Sequence, residues 1–227
     1  SCVRAAVLAV LASVLFACAS SEAPRPSAMP AARATGGDPA EEWSRLAELP
    51  WPQGGQTTYK SYEDARRAFW KKLYPKGGTE LYCGVAFDGA RKGAANQSLS
   101  VEHTFPADAI AETEAGCTDR TCPAPRVQHA MADLQNLWPA FQRVNSSRSR
   151  LRYGEIPGED ARRFTEFCPD FERTSGSQAL VEPRDGVKGD VARSLVYMHF
   201  VYGLPLENAV ADKGLLLQWM HDDPPDA

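Results

Sequence analysis

The chain has no excess of positive charge: 25 Lys and Arg stand against 29 Asp and Glu, for a formal net charge of −4. That excludes a polycation holding nucleic acid by its global field; such a partner would need a local basic patch. No segment repeats along the 227 residues, so a repeat architecture is not indicated. The opening apolar run, SCVRAAVLAVLASVLFA, is too short to span a bilayer comfortably, and no basic stop-transfer cluster follows it. A zinc site built from CTDRTC and His129 lacks a second close pair of ligands. Hydrophobic residues at 43% and charged residues at 24% are ordinary values for a soluble globular protein. The length, once the front end is discounted, suits one domain with a real core.

That front end, residues 1–17, carries a single charge, Arg4, ahead of the apolar run, the pattern of a secretory signal. It closes on LFAC and resembles a lipoprotein processing site, with Cys18 as the lipidated residue; plain cleavage near ACAS is the alternative. Residues 18–44 are rich in Ala, Pro, Ser and Gly and poor in large apolar groups, so they read as a flexible tether, with the folded domain at 45–227. Export gives the cysteines a meaning. Cys83, Cys117, Cys122 and Cys168 form an even set in an oxidising compartment, which implies two disulfides out of three possible pairings. Cys117 and Cys122 are close enough to shut a small loop, which leaves Cys83 for Cys168.

Along the domain, Ser61 stands three residues before Asp64 and opens an amphipathic helix over 61–74. Residues 79–89 and 96–105 read as two strands of a hairpin, and 107–130 as irregular. Pro139 suits the first turn of a helix through AFQRVNSSR. Asp190 reads as the cap of a helix over 189–203 that stops at Gly203, and 205–220 as one further helix. The class expected is α+β.

Two features carry chemistry. Glu102 and His103 are neighbours at a strand end, where alternation would send them to opposite faces unless the strand breaks, as Pro106 allows. Arg143, Arg148, Arg150 and Arg152 crowd into RVNSSRSRLR with no acid among them, a local phosphate-binding patch or else a solvated helix end. His129, His199 and His221 read as surface, packed and terminal residues. Asp133 reads as a local brace, Trp138 and Trp219 as core, and Asp190 and Arg193 as a cap and a brace.

The segments LYCG, SVEHTFPA, DLQNLWPAFQRVNSSR and VEPRDGVKGDVARSLVYM, in that order, resemble the bacterial endonuclease I family of secreted and periplasmic nucleases. The resemblance covers roughly 60–220. It implies a ββα-metal (His-Me finger) core embedded in a mostly helical, disulfide-braced domain. It implies His103 as the general base, with Glu102 and Asn145 as ligands of one Mg²⁺, for which Mn²⁺ or Ca²⁺ are alternatives. It further implies Arg120 as a phosphate holder, Asn136 as a site asparagine and Arg148 as a site arginine. The implied reaction is hydrolysis of DNA, with RNA as a second substrate, by a monomer that leaves 5′-phosphates. An imidazole that titrates near neutrality and hard oxygen ligands suit that chemistry. The competing reading is an envelope lipoprotein that binds nucleic acid or a partner without cleaving; a purely structural domain would have no reason to set four arginines beside a Glu-His pair.

Overall fold

The computed structural model describes residues 38–93, 96–158 and 160–226. The apolar leader, Cys18 and most of the tether fall outside them. The described residues open on a helix at Pro39–Ala47, which begins within the segment read as tether. Asp38 accepts from the Ala40 N–H and caps α1 (Pro39–Ala47), with Pro39 in the first turn where its missing N–H costs nothing. Leu46 is buried and Trp43 packs against the core, a small apolar face that the composition of the whole segment concealed.

Ser61 caps α2 (Tyr62–Ala68) by exchanging hydrogen bonds with Asp64, as its spacing predicts, and the helix runs on as a wider π turn over Phe69–Leu73. The predicted strand 79–89 is instead a turn between two short strands, β1 (Gly77–Thr79) and β2 (Ala86–Asp88), which pair with each other. Glu80 causes the turn. Its buried carboxylate accepts the backbone N–H groups of Tyr82, Cys83 and Phe141, which an extended chain could not converge on one side chain.

β3 (Leu99–His103) forms where predicted, but its partner is β4 (Leu137–Phe141), antiparallel with Glu102 opposite Trp138 and His103 opposite Leu137. Pro139 therefore lies in a strand and does not open a helix. Its carbonyl accepts from the Leu81 N–H, so the side of Pro139 that lacks a donor faces away from β3 and no ladder bond is lost. The stretch read as irregular holds α3 (Ala107–Ala111) and α4 (Pro125–Met131). Their buried residues, Ala109, Ile110 and Ala111 on α3 and Val127, Ala130 and Met131 on α4, anchor two short helices to the core. α5 (Gln142–Arg148) follows β4 without a loop.

Beyond it, β5 (Arg152–Tyr153), β6 (Glu172–Arg173) and β7 (Leu180–Glu182) make a small sheet in the order β5-β7-β6, with β5 parallel and β6 antiparallel to β7. α6 (Lys188–Tyr202) ends at Gly203 in the left-handed region, φ 68°, as glycine permits. Asp190 is not its cap. It lies in the first turn and pairs with Arg193 at 2.7 Å, while Asp223 accepts the Gly189 N–H at 2.9 Å from the far end of the domain. The predicted helix 205–220 divides into a 3₁₀ turn, Leu206–Asn208, and α7 (Gly214–Asp222), which packs on α6. Trp138 and Trp219 are buried, as expected. The class is α+β, with three small sheets among helices and two disulfides among the described residues.

Those disulfides are Cys83–Cys168 and Cys117–Cys122, the predicted pairing, so CTDRTC is not a zinc site. No helix among the described residues is long and apolar enough to cross a membrane.

Candidate active site

β3 and α5 build one wall of a cleft of about 430 Å³, and β4 supports it by pairing with β3 and leading into α5. α5 is fastened to β3 by Asn145, whose side-chain Nδ2 donates to Ser100 Oγ at 2.9 Å and to the Val101 carbonyl at 3.2 Å. Glu102, His103, Asn145, Arg120, Arg148 and Arg150 all line this cleft.

Glu102 and His103 do part, as alternation requires. Glu102 turns to Tyr82 and Arg148, and His103 to Tyr62 and Met131. No break in the strand is needed to bring them together, because the cleft lies at the C-terminal end of β3, within reach of both. His103 Nε2 is 2.9 Å from the Met131 carbonyl. A carbonyl only accepts, so Nε2 carries the proton and Nδ1 is left with its lone pair. The Tyr62 ring packs on the imidazole, 4.8 Å between centroids. Burial holds His103 down at about 4, against the pull of Met131, so the ring is neutral at neutral pH.

Glu102 is buried with Arg148. The carboxylate takes a hydrogen bond from Tyr82 at 2.6 Å and an ion pair from Arg148 at 3.1 Å. Burial raises its pKa, and Arg148 and Tyr82 oppose the rise. Arg148 also donates to the His103 and Thr104 carbonyls, at 2.9 and 2.6 Å. Its two terminal nitrogens are thus committed to the strand end and to Glu102, while its buried Nε has no hydrogen-bond partner among the described residues. Arg148 braces the site, a different task from the open phosphate contact read from the arginine run.

That run comes apart in the fold. Arg150 makes a forked pair with Glu112, both bonds 2.6 Å. Arg143 lies over Phe164 and Phe167 and within 3.5 Å of Glu166, and Arg152 donates to Gln178. Neither Arg143 nor Arg152 lines the cleft. Acids distant in sequence supply the partners that the local stretch lacks. Asn136, expected as a site asparagine, belongs to a buried network. It is fully buried, its Oδ1 accepting from the Phe105 N–H and the Thr104 hydroxyl and its Nδ2 donating to the Phe105 carbonyl. It clamps the turn after His103 from beneath and does not line the cleft. Arg120 does line it, on the exposed loop shut by Cys117–Cys122, and Asp108 seats that loop by accepting the Arg120 N–H at 3.1 Å.

The donor set suits a hard divalent cation. Because Asn145 commits its amide nitrogen to Ser100 and Val101, its oxygen is the end left for a ligand. With one carboxylate beside it, most of the coordination shell would fall to water and phosphate oxygens, which is how Mg²⁺ is usually held. Among the described residues, no group of three or more His, Cys, Asp or Glu side chains is placed to hold a metal ion, and a Glu-Asn pair needs none. Residues that sequence reasoning missed are Tyr62, Tyr82, Asp108 and Tyr153, whose roles come from contacts across the fold; only Tyr82 carried a signal, as part of LYCG.

Residues 73–227 match the model of the family Endonuclease I. The chain is 32% identical over 82 residues to Endonuclease-1 of Buchnera aphidicola subsp. Acyrthosiphon pisum (strain APS), covering 36% of this chain and 31% of that protein. It is 25% identical over 176 residues to the periplasmic deoxyribonuclease of Aeromonas hydrophila, covering 68% of this chain and 72% of that one. The match thus spans less than a third of the Buchnera protein and almost three quarters of the Aeromonas protein.

Proposed function

The chain belongs to the Endonuclease I family, and on that premise we propose that it is a metal-dependent endonuclease that hydrolyses DNA with little sequence preference. The observation that carries this reading is the state of His103. Its Nε2 is committed to Met131, its Nδ1 lone pair is free, and it shares a cleft with Glu102, Asn145 and Arg120. Nδ1 takes the proton of the attacking water, and the Met131 carbonyl and Tyr62 ring hold the imidazole to that task. Arg120 binds the scissile phosphate from its disulfide loop, as a fixed cation that cannot lose its charge. Glu102 and Asn145 hold the divalent cation, Mg²⁺ first among candidates. Bound there, it would stabilise the negative charge that develops on the phosphate and the leaving oxygen. Loss of the 3′ oxygen leaves a 5′-phosphate.

Both disulfides, and the periplasmic location in the name of the Aeromonas relative, support export. Attachment through a lipid on Cys18 belongs to the same proposal and concerns residues outside those described.

The test is digestion of supercoiled plasmid, linear DNA and RNA by the purified protein with Mg²⁺ or Mn²⁺, with and without EDTA, beside His103→Ala. Cleavage that EDTA stops is expected, with the His103→Ala rate lower by roughly two to four orders of magnitude. Equal cleavage in excess chelator would remove the metal from the mechanism, and an undiminished His103→Ala would remove the base.

A further inference from the structure

A buried polar chain runs to Glu102 and has no part in the chemistry just described. Tyr82 and Tyr153 are both fully buried. The Tyr82 hydroxyl lies 2.6 Å from Glu102 Oε1 and 2.7 Å from the Tyr153 hydroxyl. Tyr82 has one proton, and a carboxylate in contact with it can only accept. Tyr82 therefore donates to Glu102, and Tyr153 must donate to Tyr82. The Arg148 guanidinium closes the group, 4.7 Å above the Tyr153 ring and 3.1 Å from the same Oε1.

All of these bonds converge on one oxygen. Tyr82 and Arg148 both engage Oε1, and the His103 backbone N–H also bonds the carboxylate, so the rotation of the carboxyl group is fixed. The segment that delivers Tyr82 is itself held at three points. Glu80 gathers the turn around it, the Leu81 N–H donates to Pro139, and Cys83 is tied to Cys168. Tyr153 is held in β5 against Ala209 and Ala211 through its own N–H and carbonyl. Burying two hydroxyls is costly unless each is satisfied, and here Tyr82 is satisfied by Glu102 and Tyr153 by Tyr82.

We propose that Tyr82 and Tyr153 are positioning residues that fix the Glu102 carboxylate for a divalent cation, Tyr82 directly and Tyr153 through Tyr82. This rests on the reading of Glu102 as a metal ligand. Partners of this kind typically govern metal affinity by about 10–100-fold. The bare hydroxyl can be removed from each by Tyr→Phe with little change of volume.

The test is isothermal titration of the folded protein with Mn²⁺ alone, comparing wild type, Glu102→Gln, Tyr82→Phe and Tyr153→Phe, with thermal unfolding in EDTA as a check on the fold. Tyr82→Phe should weaken Mn²⁺ binding by about 10–100-fold, Tyr153→Phe should weaken it less, and Glu102→Gln should abolish it. In cleavage assays the tyrosine variants should need more Mn²⁺ for half-maximal rate, with the rate at saturating Mn²⁺ largely kept. A purely structural role would lower the unfolding temperature without moving the Mn²⁺ affinity, and that result overturns the proposal. Should Tyr82→Phe fail to fold, an unchanged affinity in Tyr153→Phe overturns it equally. Glu102→Gln binding Mn²⁺ as wild type does would sink the metal reading of Glu102 itself, an outcome distinct from failure of the tyrosines alone.

Discussion

Arg148 stands 3.1 Å from Glu102 in an ion pair whose side chains are 1% and 2% exposed. Water does not share the load, so each charge depends on the other. Removing one partner of such a pair leaves an uncompensated buried charge and typically costs about 3–5 kcal/mol. Arg148→Met should therefore lower the unfolding temperature by roughly 6–20 °C for a domain of this size. Differential scanning calorimetry in EDTA reads this without involving activity. A shift of a degree or two would mean that Glu102 finds another partner or stays protonated at little cost.

Buried Glu80 and half-buried His103 give the stability a pH dependence with opposing signs. Burial lifts Glu80 from 4.5 to about 7, against the backbone N–H groups around it. The folded protein holds that proton more tightly than the unfolded chain, so this stability is full below pH 4.5 and is lost as pH rises to 7. Burial lowers His103 from 6.5 to about 4. Its stability is present above pH 6.5 and is lost as pH falls to 4. Each contribution is up to about 3 kcal/mol, and they offset each other where the windows overlap. Glu80→Gln separates them. The stability of wild type relative to this variant should fall by up to about 3 kcal/mol between pH 4.5 and 7 and then level off. Urea unfolding at a series of pH values measures it, and a constant difference across that range would show that Glu80 ionises normally in the fold.

What was legible in the sequence was local. Ser61 and Asp64 announce a helix start, and Gly203 a helix stop, because each acts on backbone groups within one turn of itself. β4 was not legible. All five of its residues are buried, so LWPAF shows no alternation, and Pro139 imitates a helix start. Only the placement of Leu81 reveals that the missing N–H of Pro139 points away from β3. The pairing of β3 with β4 is likewise a long-range event that no local pattern announces. In the candidate site the adjacency of Glu102 and His103 was visible and the geometry was not. The burial of Arg148 and the satisfaction of Asn136 by Thr104 and Phe105 come from tertiary contacts that the local sequence does not show.

The two disulfides should differ in what they protect. Cys83–Cys168 closes 85 residues and Cys117–Cys122 closes 5. By loop entropy the long bridge contributes about 4–5 kcal/mol and the short one about 2 kcal/mol. The short one nevertheless shapes the loop that carries Arg120. Replacing Cys83 and Cys168 by Ala should mainly lower stability. Replacing Cys117 and Cys122 by Ala should mainly lower cleavage, with a smaller change in unfolding temperature. Calorimetry and plasmid digestion of both double variants decide it, and a reversed order would mean that the Cys117–Cys122 loop is part of the core's support.

The arginines sort by where the fold sends them, and salt dependence should follow that sorting. Arg120 and Arg150 line the cleft; Arg143 and Arg152 do not. Each phosphate contact contributes about one unit to the slope of log affinity against log salt. In the catalytically dead His103→Ala background, Arg120→Ala and Arg150→Ala should each flatten that slope by about one unit on a short duplex. Arg143→Ala and Arg152→Ala should leave it unchanged, since Arg143 is engaged with Phe164, Phe167 and Glu166 and Arg152 with Gln178. Arg150 must also leave Glu112 to reach a phosphate. Both side chains are well exposed, so that pair is weak, worth no more than about 1 kcal/mol. Glu112→Gln should therefore tighten binding, by up to about fivefold. Unchanged slopes for Arg120→Ala and Arg150→Ala would show that DNA approaches by a surface other than this cleft.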